Sequence, residues 1–143
     1  MEQAKIQAFG DELYEALVNR EAVPPLTSRA DDITIEDAYH ISLRMLERRQ
    51  QAGARIIGKK IGVTSKAVMN MLNVHQPDFG YLTDDMVFNS GEEVNISDRL
   101  IAPRAEGEIA FILKKDLTGP GVTNADVPAA TECVMPCFEI VDS

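Results

Sequence analysis

The stretch Pro103-Arg104-Ala105-Glu106-Gly107-Glu108-Ile109-Ala110-Phe111-Ile112-Leu113, read with Cys137-Phe138-Glu139-Ile140-Val141-Asp142, decides how this chain folds and what it can do. At the strand period of two, Arg104, Glu106, Glu108 and Ala110 fall on one face, and Ala105, Gly107, Ile109, Phe111 and Leu113 on the other. One face is apolar and the other presents two carboxylates. Glu139 stands alone in the apolar run Val134 to Val141, where a buried carboxylate is costly unless paired, hydrogen-bonded or bound to metal. Three carboxylates on two apolar strands point to a divalent-metal site. The same Glu-x-Glu spacing also describes the solvated face of an antiparallel sheet, and both readings stand at this level.

Upstream, Ile6, Phe9, Leu13 and Leu17 make one apolar stripe on a helix over residues 2–20. Residues 20–29, with Pro24-Pro25 and Thr27-Ser28, break it. Thr34 caps a second helix whose first turn carries Glu36 and Asp37; Ile35, Ala38, Tyr39, Ser42, Met45 and Leu46 form its expected buried stripe, and Gly53 its stop. A strand follows over 55–63, then Thr64-Ser65 caps a short helix to about Leu72. A polar loop runs from Asn73 to Gly80, and residues 81–88 are partly extended. Asn89-Ser90-Gly91 and Thr118-Gly119-Pro120-Gly121 are turns, and Thr123-Asn124-Ala125-Asp126 caps a helix of about two turns before Val134. The pattern predicts an α+β class, with a helical section over 1–53 and a β-rich remainder over 54–143. The chain stops in an apolar strand at Val141-Asp142-Ser143, which predicts that it is the N-terminal part of a longer polypeptide.

The 143 residues, 45% hydrophobic and 26% charged, suffice for one domain with a core and exclude wholesale disorder. A net charge of -9 with no basic cluster argues against a nucleic-acid partner, because neutralising phosphates takes concentrated Lys and Arg. No run is long and apolar enough to span a bilayer and the first residues are no signal peptide, so a cytoplasmic protein is expected. Cys133 and Cys137 lack matching Cys or His partners; they read as small buried thiols in a reducing compartment rather than zinc ligands.

Carboxylate oxygens without a Cys or His cluster favour a hard cation, Mg2+ or Mn2+. Such an ion with open positions suits a chelating 2-oxo acid or its enol. Strand alternation turns one of Lys59 and Lys60 inward; an inward Lys60 is a charge partner or proton donor, while two snorkelling stems are the plainer outcome. Asp78 reads first as a turn residue after Pro77, and His75 as a structural hydrogen-bonding group. Arg104, on the face of Glu106 and Glu108, either neutralises them or holds a substrate carboxylate.

The combination of Gly58-Lys59-Lys60-Ile61-Gly62-Val63-Thr64-Ser65, Gln76-Pro77-Asp78-Phe79-Gly80, Pro103 to Ala110 and Glu139-Ile140-Val141-Asp142-Ser143 resembles the 2-hydroxypenta-2,4-dienoate hydratases of the fumarylacetoacetate hydrolase superfamily. The resemblance runs through essentially the whole chain, which matches about the first half of such an enzyme. It implies a mixed β-roll following the N-terminal helices, metal ligation by Glu106, Glu108 and Glu139, and catalytic roles for Lys60 and Asp78, against the turn reading of Asp78. It implies a large homo-oligomer and association with 4-oxalocrotonate decarboxylase. A serine that the family uses beyond the Glu139 strand has no counterpart, since the chain ends at Ser143. The resemblance also implies the rivals: the sister decarboxylase on the same scaffold, a hydratase for a seven-carbon diacid, or a non-catalytic partner subunit. Asp78 within Gln-Pro-Asp-Phe-Gly matches the hydratase pattern more than the decarboxylase one.

Overall fold

The computed structural model describes residues 1–142; Ser143, the last residue of one quoted motif, lies outside them. The fold mixes helices and strands and divides into two compact units, Met1–Arg99 and a second beginning at Leu100.

The first unit starts with α1 (Gln3–Asn19) and α2 (Ile35–Gln51). Ion pairs link Asp11 with Arg44 and Glu15 with Arg48, and the N-terminal ammonium with Asp37, so partners climb together along both helices and these run in the same direction. Ile6 and Phe9 from α1 pack on Ile41 and Ala30 to form the core, bordered by Met1, Leu13, Leu26 and Ile33. Gly10 permits the close crossing: a Cβ there would fall 2.5 Å from Arg44 Cβ and 2.9 Å from the Ile41 carbonyl oxygen.

The capping box of α2 forms between Thr34 and Asp37. Its buried stripe corrects the expectation. Leu46 is buried and Tyr39 and Met45 half-buried as expected, but Ile35 is 62% exposed and Ala38 and Ser42 are exposed, while Ile41, 1% exposed, and Asp37 are buried outside the expected stripe. The face that meets α1 is set by Ile41, which packs with Ile6, Phe9 and Ala30, while Arg44 and Arg48 at its edge pair with Asp11 and Glu15.

Beyond Ala52, Gly53 at φ 107 turns the chain into β1 (Ile56–Gly62). Ser65 caps α3 (Lys66–Leu72), its hydroxyl accepting from the Val68 N–H at 3.2 Å, and β2 (Asp78–Thr83) returns antiparallel to β1. Asp78, Phe79 and Gly80, expected in the polar loop, therefore belong to a strand. Each of them is paired across from a residue of β1, and that ladder outweighs the turn preference of Pro77-Asp78. Phe79 stacks on Tyr39 of α2 with ring centroids 4.8 Å apart, and Arg49 of α2 bonds Asp85 at 2.8 Å just past β2. These contacts tie the hairpin to the helical layer. A short helix, α4 (Ile96–Arg99), closes the unit.

The second unit is a hairpin of β3 (Arg104–Leu113) and β4 (Thr131–Val141), with α5 (Asp126–Ala130) leading into β4. The apolar face expected to be buried is exposed: Ile109 is 64%, Phe111 54%, Val134 53% and Phe138 80% exposed. A two-stranded ladder has two open faces, and its own unit offers only the five residues of α5 to cover one. Among the described residues no helix is long and apolar enough to cross a membrane.

Candidate metal centre

In the β3–β4 ladder Glu106 is the direct partner of Glu139, and Glu108 of Cys137. Directly opposed residues share a face, so the alternation that groups Glu106 with Glu108 brings Glu139 to the same side. One oxygen from each of the three carboxylates lies within 4.8 Å of the others. Glu108 and Glu139 are half-buried and Glu106 is exposed. The case for the site thus comes from convergence. The burial expected of Glu139's strand does not carry it, since most of β4 is exposed.

Three carboxylates held this close repel one another by about 1 kcal/mol per pair even in water. A divalent cation reverses that sign. Oxygens around one ion at about 2.0–2.5 Å lie no more than about 4–5 Å apart, so the cluster fits a hard cation and its all-oxygen donor set fits magnesium-like ions better than zinc.

The ends of this hairpin are pinned. Asp142, just past β4, accepts hydrogen bonds from the Ile101 N–H at 2.9 Å and the Ala102 N–H at 2.8 Å. This carboxylate fixes the residues that lead into Arg104 and sets where β3 begins. Only the position of Asp142 at a strand end hinted at that clamp in the sequence. Arg104 lies opposite Val141 on the glutamate face and is exposed. Cys137 also shares that face; both cysteines are free thiols, but Cys133 is exposed and Cys137 half-buried rather than buried as expected, because most of β4 is uncovered.

The first unit holds the remaining predicted residues. Lys60 is paired with Gly80 and Asp78 with Gly62, so both side chains lie on one face of the β1–β2 hairpin, among Gly58, Gly62 and Gly80. Lys60 is half-buried and Asp78 exposed. Lys59 points to the other face, its ammonium 5.4 Å from the Tyr81 ring centroid, so the alternation of the two lysines is resolved. His75 is exposed between α3 and β2.

No family profile matches the chain. A 2-hydroxypent-2,4-dienoate hydratase of Pseudomonas putida is 76% identical over 143 residues, which is all of this chain and 64% of that protein. A 2-hydroxyhexa-2,4-dienoate hydratase of Comamonas testosteroni is 63% identical over 139 residues, 96% of this chain and 53% of that protein. The solved structure of 4-oxalocrotonate decarboxylase from Pseudomonas putida G7, complexed with magnesium and adipate, is 32% identical with a TM-score of 0.93, covering 100% of this chain and 54% of that one. The chain thus spans 53% to 64% of the length of these curated relatives.

Proposed function

We propose that this chain, which belongs by sequence to the family of the 2-hydroxy-2,4-dienoate hydratases, works in a metal-dependent hydro-lyase that adds water to 2-hydroxypenta-2,4-dienoate, giving 4-hydroxy-2-oxopentanoate in the meta-cleavage breakdown of aromatic compounds. The observation that carries the reading is the convergence of Glu106, Glu108 and Glu139 in a chain so close to a hydratase. In this reading the helical section 1–53 supports a catalytic part over 54–143, and the hairpins belong to a mixed β-roll. The enzyme works in the cytoplasm as a homo-oligomer, with 4-oxalocrotonate decarboxylase as a partner.

Glu106, Glu108 and Glu139 hold Mg2+ or Mn2+. When bound, the ion supplies Lewis acidity towards a substrate's carboxylate and 2-oxygen and favours charge on the enolate. Arg104 holds the substrate carboxylate. Lys60 and Asp78 carry the protons: the 2-hydroxyl proton leaves, C5 gains one, and the resulting 2-oxo-3-ene is electrophilic at C4. Water then adds its hydroxyl to C4 and a proton to C3, so the balance is one water gained.

The test is turnover of K60A and D78A in the polypeptide as its gene encodes it. Loss of hydration with metal binding retained supports these roles; undiminished turnover in either variant removes that residue from the mechanism.

A further inference from the structure

We infer that Gly62 is a positioning residue for Asp78, its missing side chain being the space in which the Asp78 carboxylate rests. The inference deepens the proton-transfer role proposed for Asp78 and rests on it.

Gly62 and Asp78 are direct partners across the β1–β2 ladder. A Cβ built on Gly62 would overlap Asp78 Oδ1 and lie 3.4 Å from Asp78 Cγ and 3.8 Å from Oδ2. The carboxylate is therefore folded back over the Gly62 backbone. Gly80, Lys60's partner on the same face, has nothing within 4 Å of where its Cβ would be, and Gly58 only Leu82 Cδ1 at 3.8 Å, so the close approach is particular to position 62 among the hairpin's glycines. Gly62 does not have a left-handed φ, so an alanine could adopt its backbone, and the constraint is space.

The next residue adds an independent sign that this corner is held in place. Val63 has φ 53, a conformation that β-branched residues avoid and that persists where surrounding structure over-determines it. It turns the chain out of β1 towards the Ser65 cap of α3. The end of β1 is thus fixed on one side by the strained Val63 and on the other by the ladder to β2. A carboxylate laid across glycine there loses rotamer freedom before substrate arrives, which is how orientation lowers a barrier.

A methyl group at position 62 would meet the far end of a flexible side chain. The fold should survive G62A while the carboxylate moves. The experiment is a double-mutant cycle of G62A and D78A in the polypeptide as its gene encodes it, read by kcat and KM on 2-hydroxypenta-2,4-dienoate and by melting temperature. We expect G62A to lower kcat by about 10- to 100-fold with KM changed less than about threefold, and to add no further loss to D78A. Unchanged kcat in G62A, or losses that multiply in the double variant, would overturn the inference.

Melting separates this claim from the functional one. G62A should lower the melting temperature beside Asp78 and not in the D78A background, where the methyl has room. Equal lowering in both backgrounds would overturn the inference. Absence of turnover in the wild-type protein would instead overturn the proposed reaction, with the melting cycle still deciding the contact.

Discussion

Glu106 on β3 and Glu139 on β4 are direct cross-strand partners, with Glu108 two residues along the same face and one oxygen of each within 4.8 Å of the others. Like charges placed directly opposite destabilise a ladder, by about 0.2–1 kcal/mol for a typical pair. A chain that keeps such a pair gains from it elsewhere, and a bound cation is the direct way.

E139Q tests the metal site directly. In Mg2+ it should abolish the heat of metal binding seen by titration calorimetry. Equal Mg2+ affinity in E139Q and wild type would remove Glu139 from the site.

Acid should unfold the first unit through Asp37. The Thr34 hydroxyl, the Thr34 N–H and the N-terminal ammonium all bond this carboxylate and bring its pKa down from the usual carboxylate range to about 2. A depressed carboxyl pKa contributes stability that is complete above the unfolded value and lost as pH falls through the folded one. Stability should decline between about pH 4 and pH 2, and D37N should flatten that limb. An acid limb unchanged in D37N would assign it to other carboxylates.

G10A tests the helix crossing. Its methyl would meet Arg44 Cβ and Cγ and the Ile41 carbonyl oxygen, a backbone atom that cannot swing aside. Overpacking of this kind costs about 1–3 kcal/mol, so the melting temperature should fall by roughly 3–10 °C. A neutral or stabilised G10A would mean that the helices separate there at no cost.

D142A should free the Ile101 and Ala102 amides, which bond its carboxylate at 2.8–2.9 Å. Hydrogen exchange at those two amides should accelerate, while amides within the β3–β4 ladder keep their protection. Unchanged exchange would show that the clamp is redundant.

The legible parts of this chain are those whose signal is local. The Thr34 and Ser65 caps, the stop at Gly53 and the alternation through Arg104 to Leu113 each depend on a few neighbouring residues, and each element is found where its signal lies. The three glutamates could be grouped because strand periodicity puts Glu106 and Glu108 together and an unusual residue type singles out Glu139. Their direct opposition could not be read, because register depends on the whole ladder. Asp78 looked like a turn residue since its partner Gly62 is 16 positions away in the chain. Ile41 rather than Ile35 is buried because Ile41 packs with Ile6, Phe9 and Ala30, contacts that no periodicity of α2 alone contains.

The most direct measurement follows the ultraviolet absorbance of freshly generated 2-hydroxypenta-2,4-dienoate, with product identified by mass, in Mg2+ or Mn2+ and again in chelator. A parallel reaction with the six-carbon oxo-diacid is monitored for CO2. Loss of the dienol with a mass gain of one water, abolished by chelator, is the predicted result. Loss of CO2 without hydration, or hydration that persists in chelator, would contradict the account.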